Sequence, residues 1–283
     1  MRSVRIGSWQ FDPQDPRAPE ARVWEAMSTA ERQATVAVLP SSLPFSELMP
    51  PEGDRHYEAA DAPRKTLRRY FGRDGRQAYV GTNLPVYYPG EPVFAPDLLV
   101  VLGASPHPRE KWVTSAEGKG LTVVLEVHVH GSWRKDFVSN VERYARLGIE
   151  EYFAYSLLTG RLIGHRLTQE GVYESIAPQP QGSPLLSSTL GLELGLEDGR
   201  VRCYVGDALL PLAEELVERL EAGMRDTNAK LGLLEEQLHE TEERAERAEE
   251  ERRRAEEERR RAEEELAREK ERREALEREL AAL

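Results

Sequence analysis

From about Leu231 to Leu283 the chain is built almost entirely from Glu, Arg, Ala and Leu, and the run AEEERRRAEEERRRAEEE repeats every seven residues. A segment of this kind has no second apolar surface to fold against within itself, so it forms a helix, either alone or wound on a partner. One heptad position falls on Leu231, Leu238, Ala245, Arg252, Arg259, Leu266, Arg273 and Leu280. The other falls on Leu234, Thr241, Ala248, Ala255, Ala262, Glu269, Leu276 and Leu283. Leucine fills the seam at both ends, while its middle sets alanine against arginine. Glu three or four residues before Arg recurs throughout, and each such pair adds about 0.2–0.5 kcal/mol to an isolated helix. Two outcomes are open: a coiled-coil homodimer, or a stiff single helix.

The tail leaves about 230 residues for a globular part, enough for one sizeable core. The tail carries 20 Glu against 13 Lys plus Arg, so it holds −7 of the formal charge of −12. The remainder is only mildly acidic, which argues against broad nucleic-acid affinity but not against a local basic patch. Cys203 is the single cysteine, which excludes an intrachain disulfide and cysteine-rich zinc modules. Residues 1–20 lack an apolar signal core, and no window reaches the length of a membrane span. The expected setting is soluble and cytoplasmic. The expected organisation is a flexible arm over 1–20, a folded domain over 21–222, and a Glu/Arg-rich coiled coil over 223–283.

Along the domain, helical spacing of Trp24, Met27, Ala34 and Val38 predicts a helix capped at Ser28 or Thr29. DRHYEAADAPRKTLRRYFGRDG predicts another, ending near Gly72 and kinked or restarted at Pro63. Short Val- and Tyr-rich runs predict strands over 78–81, 86–88 and 98–102, followed by a polar loop and a strand over 121–130. Asp136 is placed to cap the helix FVSNVERYARLG, whose apolar stripe is Phe137, Val141, Tyr144 and Ala145. Two hairpins should follow, the first turning at Thr159-Gly160 and the second within GLELGLEDGRVRCYV. Strands alternating with helices predict an α/β (α+β) domain.

The strand VVLEVHVHG carries an acid in a run of Val and Leu. Side chains alternate along a strand, so Glu126, His128 and His130 share one face, with Glu126 and His128 roughly 6–7 Å apart. An ionised carboxylate buried without a partner is very costly, so Glu126 should meet a cation, a metal or strong donors. Asp97 stands at the entrance of the 98–102 strand, just after Pro96. If the two strands are neighbours, Asp97 and Glu126 converge. With the Val127 carbonyl they would offer hard oxygen ligands suited to Mg²⁺ or Mn²⁺. Such an ion can activate water and clamp a phosphodiester. Taken singly, a Pro-Asp pair is more often a turn, and a lone strand Glu more often faces solvent or an arginine. Arg64, Lys65, Arg68, Arg69, Arg73 and Arg76 make a local basic segment. It is either a phosphate-holding patch or a solvated helix face.

PDLLVVLG followed by VVLEVHVHGSWRKDFVSNVERYARLGIEEYFAYSLLTGRLIGHRL resembles the Uma-two family of restriction endonucleases, which is similar to the PD-(D/E)XK nuclease fold. The resemblance is good over about 78–194 and looser before it. It implies a mixed central sheet flanked by helices and a metal-dependent site for cutting DNA. Asp97 would match the motif Asp, and Glu126 the acid of the Glu-X-Lys element. The lysine expected two residues on is His128 here. Where many relatives carry a lysine on the following helix, this chain has Asn140, and the nearest ammonium is Lys135. The resemblance thus implies an endonuclease with Asp97, Glu126, His128 and Lys135 in catalysis and Asp97, Glu126 and Val127 on Mg²⁺ or Mn²⁺. The rival expectation is an inactive nuclease fold serving as a coiled-coil scaffold.

Overall fold

A computed structural model describes residues 3–42, 53–129, 138–178 and 183–281. Residues up to Glu215 form one compact unit and Leu216–Leu283 a second.

The first unit opens with a hairpin of β1 (Val4–Ile6) and β2 (Trp9–Phe11). Phe11 is fully buried against Leu39, Tyr87 and Val113, so the stretch expected to be a loose arm carries an ordered strand pair. Next come α1 (Ala21–Ala26) and α2 (Thr29–Val38). Met27 is extended and breaks what looked like one helix into two. Ser28 restarts it through a reciprocal cap: its hydroxyl accepts the Glu31 N–H at 3.3 Å, and its own N–H donates to the Glu31 carboxylate at 2.8 Å.

α3 (Asp54–Asp74) runs unbroken through Pro63. Proline there removes one backbone bond, but the flanking Ala59, Ala60 and Leu67 are buried, and tertiary packing overrides the local penalty. The helix stops at Gly75, whose φ of +69° is open to glycine at little cost.

β3 (Ala78–Gly81), β4 (Val86–Tyr87) and β5 (Leu98–Leu102) fall where the apolar runs place them. The expected polar loop after them contains β6 (Trp112–Val113) and the one-turn α4 (Thr114–Glu117). Trp112 is buried, with Arg109 stacked over its ring and over Tyr79. β7 (Val123–His128) leads to α5 (Asn140–Arg146) and then to β8 (Glu151–Ser156), paired parallel to β7. The proposed cap Asp136 lies outside the described residues. β9 (Arg161–Leu167) returns antiparallel to β8, and β10 (Tyr173–Ser175) pairs with β9.

The central sheet therefore has the order β10-β9-β8-β7-β5-β3, mixed because only β7–β8 is parallel. A second sheet follows from β11 (Leu185–Ser187), β12 (Leu192–Glu197), β13 (Arg200–Val205) and β14 (Ala208–Leu209), antiparallel throughout. β12 and β13 join through Asp198-Gly199, both at positive φ, the turn whose twist suits a two-residue hairpin.

β7 is buried along its whole length because both sheet faces are covered. Val123, Leu125 and Val127 pack with Leu67 and Phe71 of α3 and with Leu194 and Val201 of the second sheet. On the other face Val124 packs with Leu99, Trp112, Tyr144 and Tyr152. This is the mixed α/β architecture, sheet between helices, that the sequence suggests.

α6 (Ala213–Ala281) begins earlier than the composition alone implies, and the division between the units falls after Glu215 rather than at 222. Every side chain from Val217 to Arg278 is exposed. Among the described residues no helix is long and apolar enough to cross a membrane.

Candidate active site

The antiparallel register of β5 on β7 sets Leu98 opposite Leu125, so Asp97 and Glu126 face each other one step beyond the ladder. Pro96 has no N–H to offer a neighbouring strand, and regular pairing ends there. The two acids continue it with their side chains. The Asp97 N–H donates to Glu126 Oε2 at 3.2 Å, and the Val127 N–H donates to Asp97 Oδ2 at 2.7 Å. Each carboxylate is therefore tied to the other strand, and the acids read from the sequence do meet.

Among the described residues, two further side chains join the cluster. His56, from the first turn of α3, places Nε2 3.2 Å from Asp97 Oδ1. Tyr144 of α5 donates its hydroxyl to Glu126 Oε1 at 2.5 Å. Burial, and after it the nearby Glu126 charge, push the Tyr144 phenol far above its ordinary value, so it stays protonated and acts as a donor. Tyr144 is fixed by Tyr152 edge-on at 5.1 Å and by Phe94 at 5.6 Å. Glu126 itself is only 8 % exposed, whereas the side chains of Asp97 and His56 keep 15 % and 18 % of their surface. The cluster thus opens on the Asp97 side.

His128, on the same face of β7 and paired in register with Ser156, is buried, as is Asn140 at the start of α5. Lys135, with Arg134 and His130, lies outside the described residues. Most of the basic segment of α3 serves the fold. Arg64 and Lys65 clamp Asp61 at 2.8 Å, Arg69 donates to the Pro211 carbonyl, and Arg76 donates to the Leu190 carbonyl at 2.9 Å. Lys65, Arg68, Arg73 and Arg76 are all exposed, with Lys65 and Arg76 already engaged in these contacts, so much of the segment fits the solvated helix face, the other of its two expected readings.

Among the described residues no group of three or more His, Cys, Asp or Glu side chains is placed to hold a metal. The donor set still fits a hard divalent ion. Mg²⁺ commonly takes only one or two protein carboxylates and completes its shell with water and substrate oxygens. Both Glu126 oxygens and Asp97 Oδ2 accept identified hydrogen bonds, Asp97 Oδ1 stands 3.2 Å from His56 Nε2, and hard anionic oxygens of this kind are the donors such an ion prefers.

Among the described residues, His56 and Tyr144 are members of the candidate site that the sequence reading missed. Tyr144 left a signal: a phenol on the apolar stripe of a helix facing the acid-bearing strand has a polar tip needing a partner. His56 left none, being 41 positions from Asp97 with no pattern linking them.

Residues 46–199 match the model of the family described as "Uma2: Putative restriction endonuclease". No curated protein matches. Among solved structures, the chain is similar to the crystal structure of "a putative nuclease belonging to DUF820 from Anabaena variabilis ATCC 29413", at 11 % identity and a TM-score of 0.40, over 51 % of this chain and 76 % of that one.

Proposed function

The chain belongs to the Uma2 family of restriction-endonuclease-like proteins, and from that premise we propose that it hydrolyses phosphodiester bonds of DNA with a divalent metal, Mg²⁺ or Mn²⁺. One observation carries the reading: two acids from neighbouring strands of a mixed sheet are interlocked in a cluster that opens on the Asp97 side, Asp97 through Val127 and Glu126 through Asp97.

In this reading Asp97 and Glu126 hold the metal with the Val127 carbonyl. The bound ion would supply a lowered water pKa and charge neutralisation at phosphate. Tyr144 holds Glu126 in orientation by donating to Oε1, as an outer-shell donor does for a metal-ligating carboxylate. His56 stands against Asp97 Oδ1 at 3.2 Å from the α3 side. His128, or Lys135 from the turn after β7, positions water or stabilises developing charge. A cytoplasmic setting belongs to the same reading, and so does pairing of two chains through α6, which would allow cuts on both strands.

A second reading rests on one observation: the lysine places of the family pattern hold His128 and Asn140, both buried. In that reading the fold persists as a scaffold without turnover. Nicking of supercoiled plasmid with Mg²⁺ or Mn²⁺ separates the two. The wild type should nick, and Asp97→Asn and Glu126→Gln should each lower the rate at least about a hundredfold. Equal rates for all three proteins would leave only the scaffold.

A further inference from the structure

We infer that α6 pairs with a second copy of this chain as a parallel, in-register coiled coil whose seam begins at Val217. This deepens the pairing reading above and does not depend on nuclease activity.

The seam is longer than the repeat that reveals it. Extending the seven-residue count backward from Leu231 and Leu234 places Met224 and Val217 at one seam position and Leu220 at the other. All of these stand out from the helix: Val217 is 52 % exposed, Leu220 67 %, Met224 65 %, Leu231 51 % and Leu234 60 %. Large apolar side chains repeated on one stripe of a solvated helix mark a surface that is covered by something.

Charge identifies the cover and its direction. The positions flanking the seam are e and g, one residue after and one residue before the d and a seam positions respectively. In an antiparallel pair e meets e′. Seven of the nine e positions from Glu221 to Glu277 are Glu, so that arrangement sets glutamate against glutamate along most of the rod. In a parallel in-register pair each g residue meets the e′ residue five positions later. Lys230 then meets Glu235, Arg244 meets Glu249, Glu265 meets Lys270, and Arg272 meets Glu277.

Two parallel pairs are alike in charge, Glu251 with Glu256 and Glu258 with Glu263. They fall at the two adjacent heptads where the seam carries Arg252 and Arg259. In a parallel coil a seam residue at a lies beside the partner's preceding g residue, so Arg252 meets the partner copy's glutamate at 251 and Arg259 the one at 258. The weak centre of the seam and the two like-charged pairs therefore offset each other, and they do so only in this register. A partner of other sequence would have to reproduce the same alternation.

Cysteine cross-linking on the full-length chain tests this. Thr227→Cys and Ala262→Cys occupy d positions without removing a large seam residue, and Cys203 is 1 % exposed, which makes the wild type the uncrosslinked control. The wild type should sediment at twice the 32.1 kDa chain mass. Each single variant should then form a disulfide-linked dimer in high yield on mild oxidation. In an antiparallel pair a residue can meet its own copy only at the symmetry axis, so at most one site would link. A dimeric wild type with a link at neither or only one site overturns the parallel register while leaving pairing intact. A monomeric wild type overturns both.

Discussion

Replacing Tyr144 by Phe removes one oxygen atom and leaves the ring, so it isolates the bond to Glu126. The ring is 2 % exposed and keeps its contacts with Tyr152 and Phe94. What is lost is a 2.5 Å hydrogen bond to a carboxylate buried to 8 % exposure. Hydrogen bonds to charged groups contribute about 1.5–3 kcal/mol, and a buried acceptor deprived of its donor sits near the middle of that range, about 2 kcal/mol. Unfolding entropy near 2.1 cal/mol/K per residue gives about 0.45 kcal/mol/K for a unit of this size, so Tm should fall by roughly 4 °C. Near-UV circular dichroism on heating reads this directly. The phenol stays protonated at any pH near neutrality, so its own titration does not blur the comparison. A double-mutant cycle with Glu126→Gln should return a coupling of about 1–2 kcal/mol, since Gln retains the acceptor but not its charge. A Tm within 1 °C of wild type, or strictly additive effects in the cycle, would refute the claim that Tyr144 holds Glu126.

Two other perturbations test the fold around the site. Glu151 is fully buried and accepts bonds from Arg166 at 3.1 Å and from the hydroxyls of Ser187 and Ser188, tying β8 to β9 and to the second sheet. Glu151→Ala should cost about 3 kcal/mol in urea unfolding, because Arg166 and Ser187 both lose their acceptor; a loss under about 1 kcal/mol would contradict that role. Burial holds the His165 imidazole, clustered with the Tyr152 and Tyr173 rings, below its ordinary value of 6.5. The folded chain thus keeps it neutral while the unfolded chain takes up a proton as pH falls through about 6.5, so stability should drop between pH 7 and 5. His165→Phe should flatten that slope relative to wild type, and an unchanged slope would count against the assignment.

Much of this was legible because β-structure writes itself in period two and punctuates itself with turn residues. The acid in VVLEVHVHG could be singled out because a carboxylate in an apolar strand has few inexpensive fates, and Asp97 because Pro96 marks a strand's entrance. The convergence of the two needed only that the strands be neighbours, which they are. Pro63 misled because its penalty is local while the packing of Ala59, Ala60 and Leu67 is not. β6 escaped because its two residues are too few to show any period, although Trp112 in a polar loop was a clue. His56 was illegible for a deeper reason: contact between an early helix and a mid-chain strand is fixed by topology, which a single sequence records only diffusely. Tyr144 was seen and placed on the right face, but read only as hydrophobic surface.

The interlock between Asp97 and Glu126 has an evolutionary consequence. Because each acid satisfies the main chain of the opposite strand, the pair doubles as a register lock: sliding β5 by one residue would strand two N–H groups and two charges at once. A lineage that abandoned catalysis would therefore still be penalised for discarding either acid. Survival of the two carboxylates in a distant cousin is weak testimony that the cousin still cuts anything. The groups free to drift once turnover is lost are those with no duty to the backbone, so the place to look for a lapsed enzyme is the lysine, not the acids.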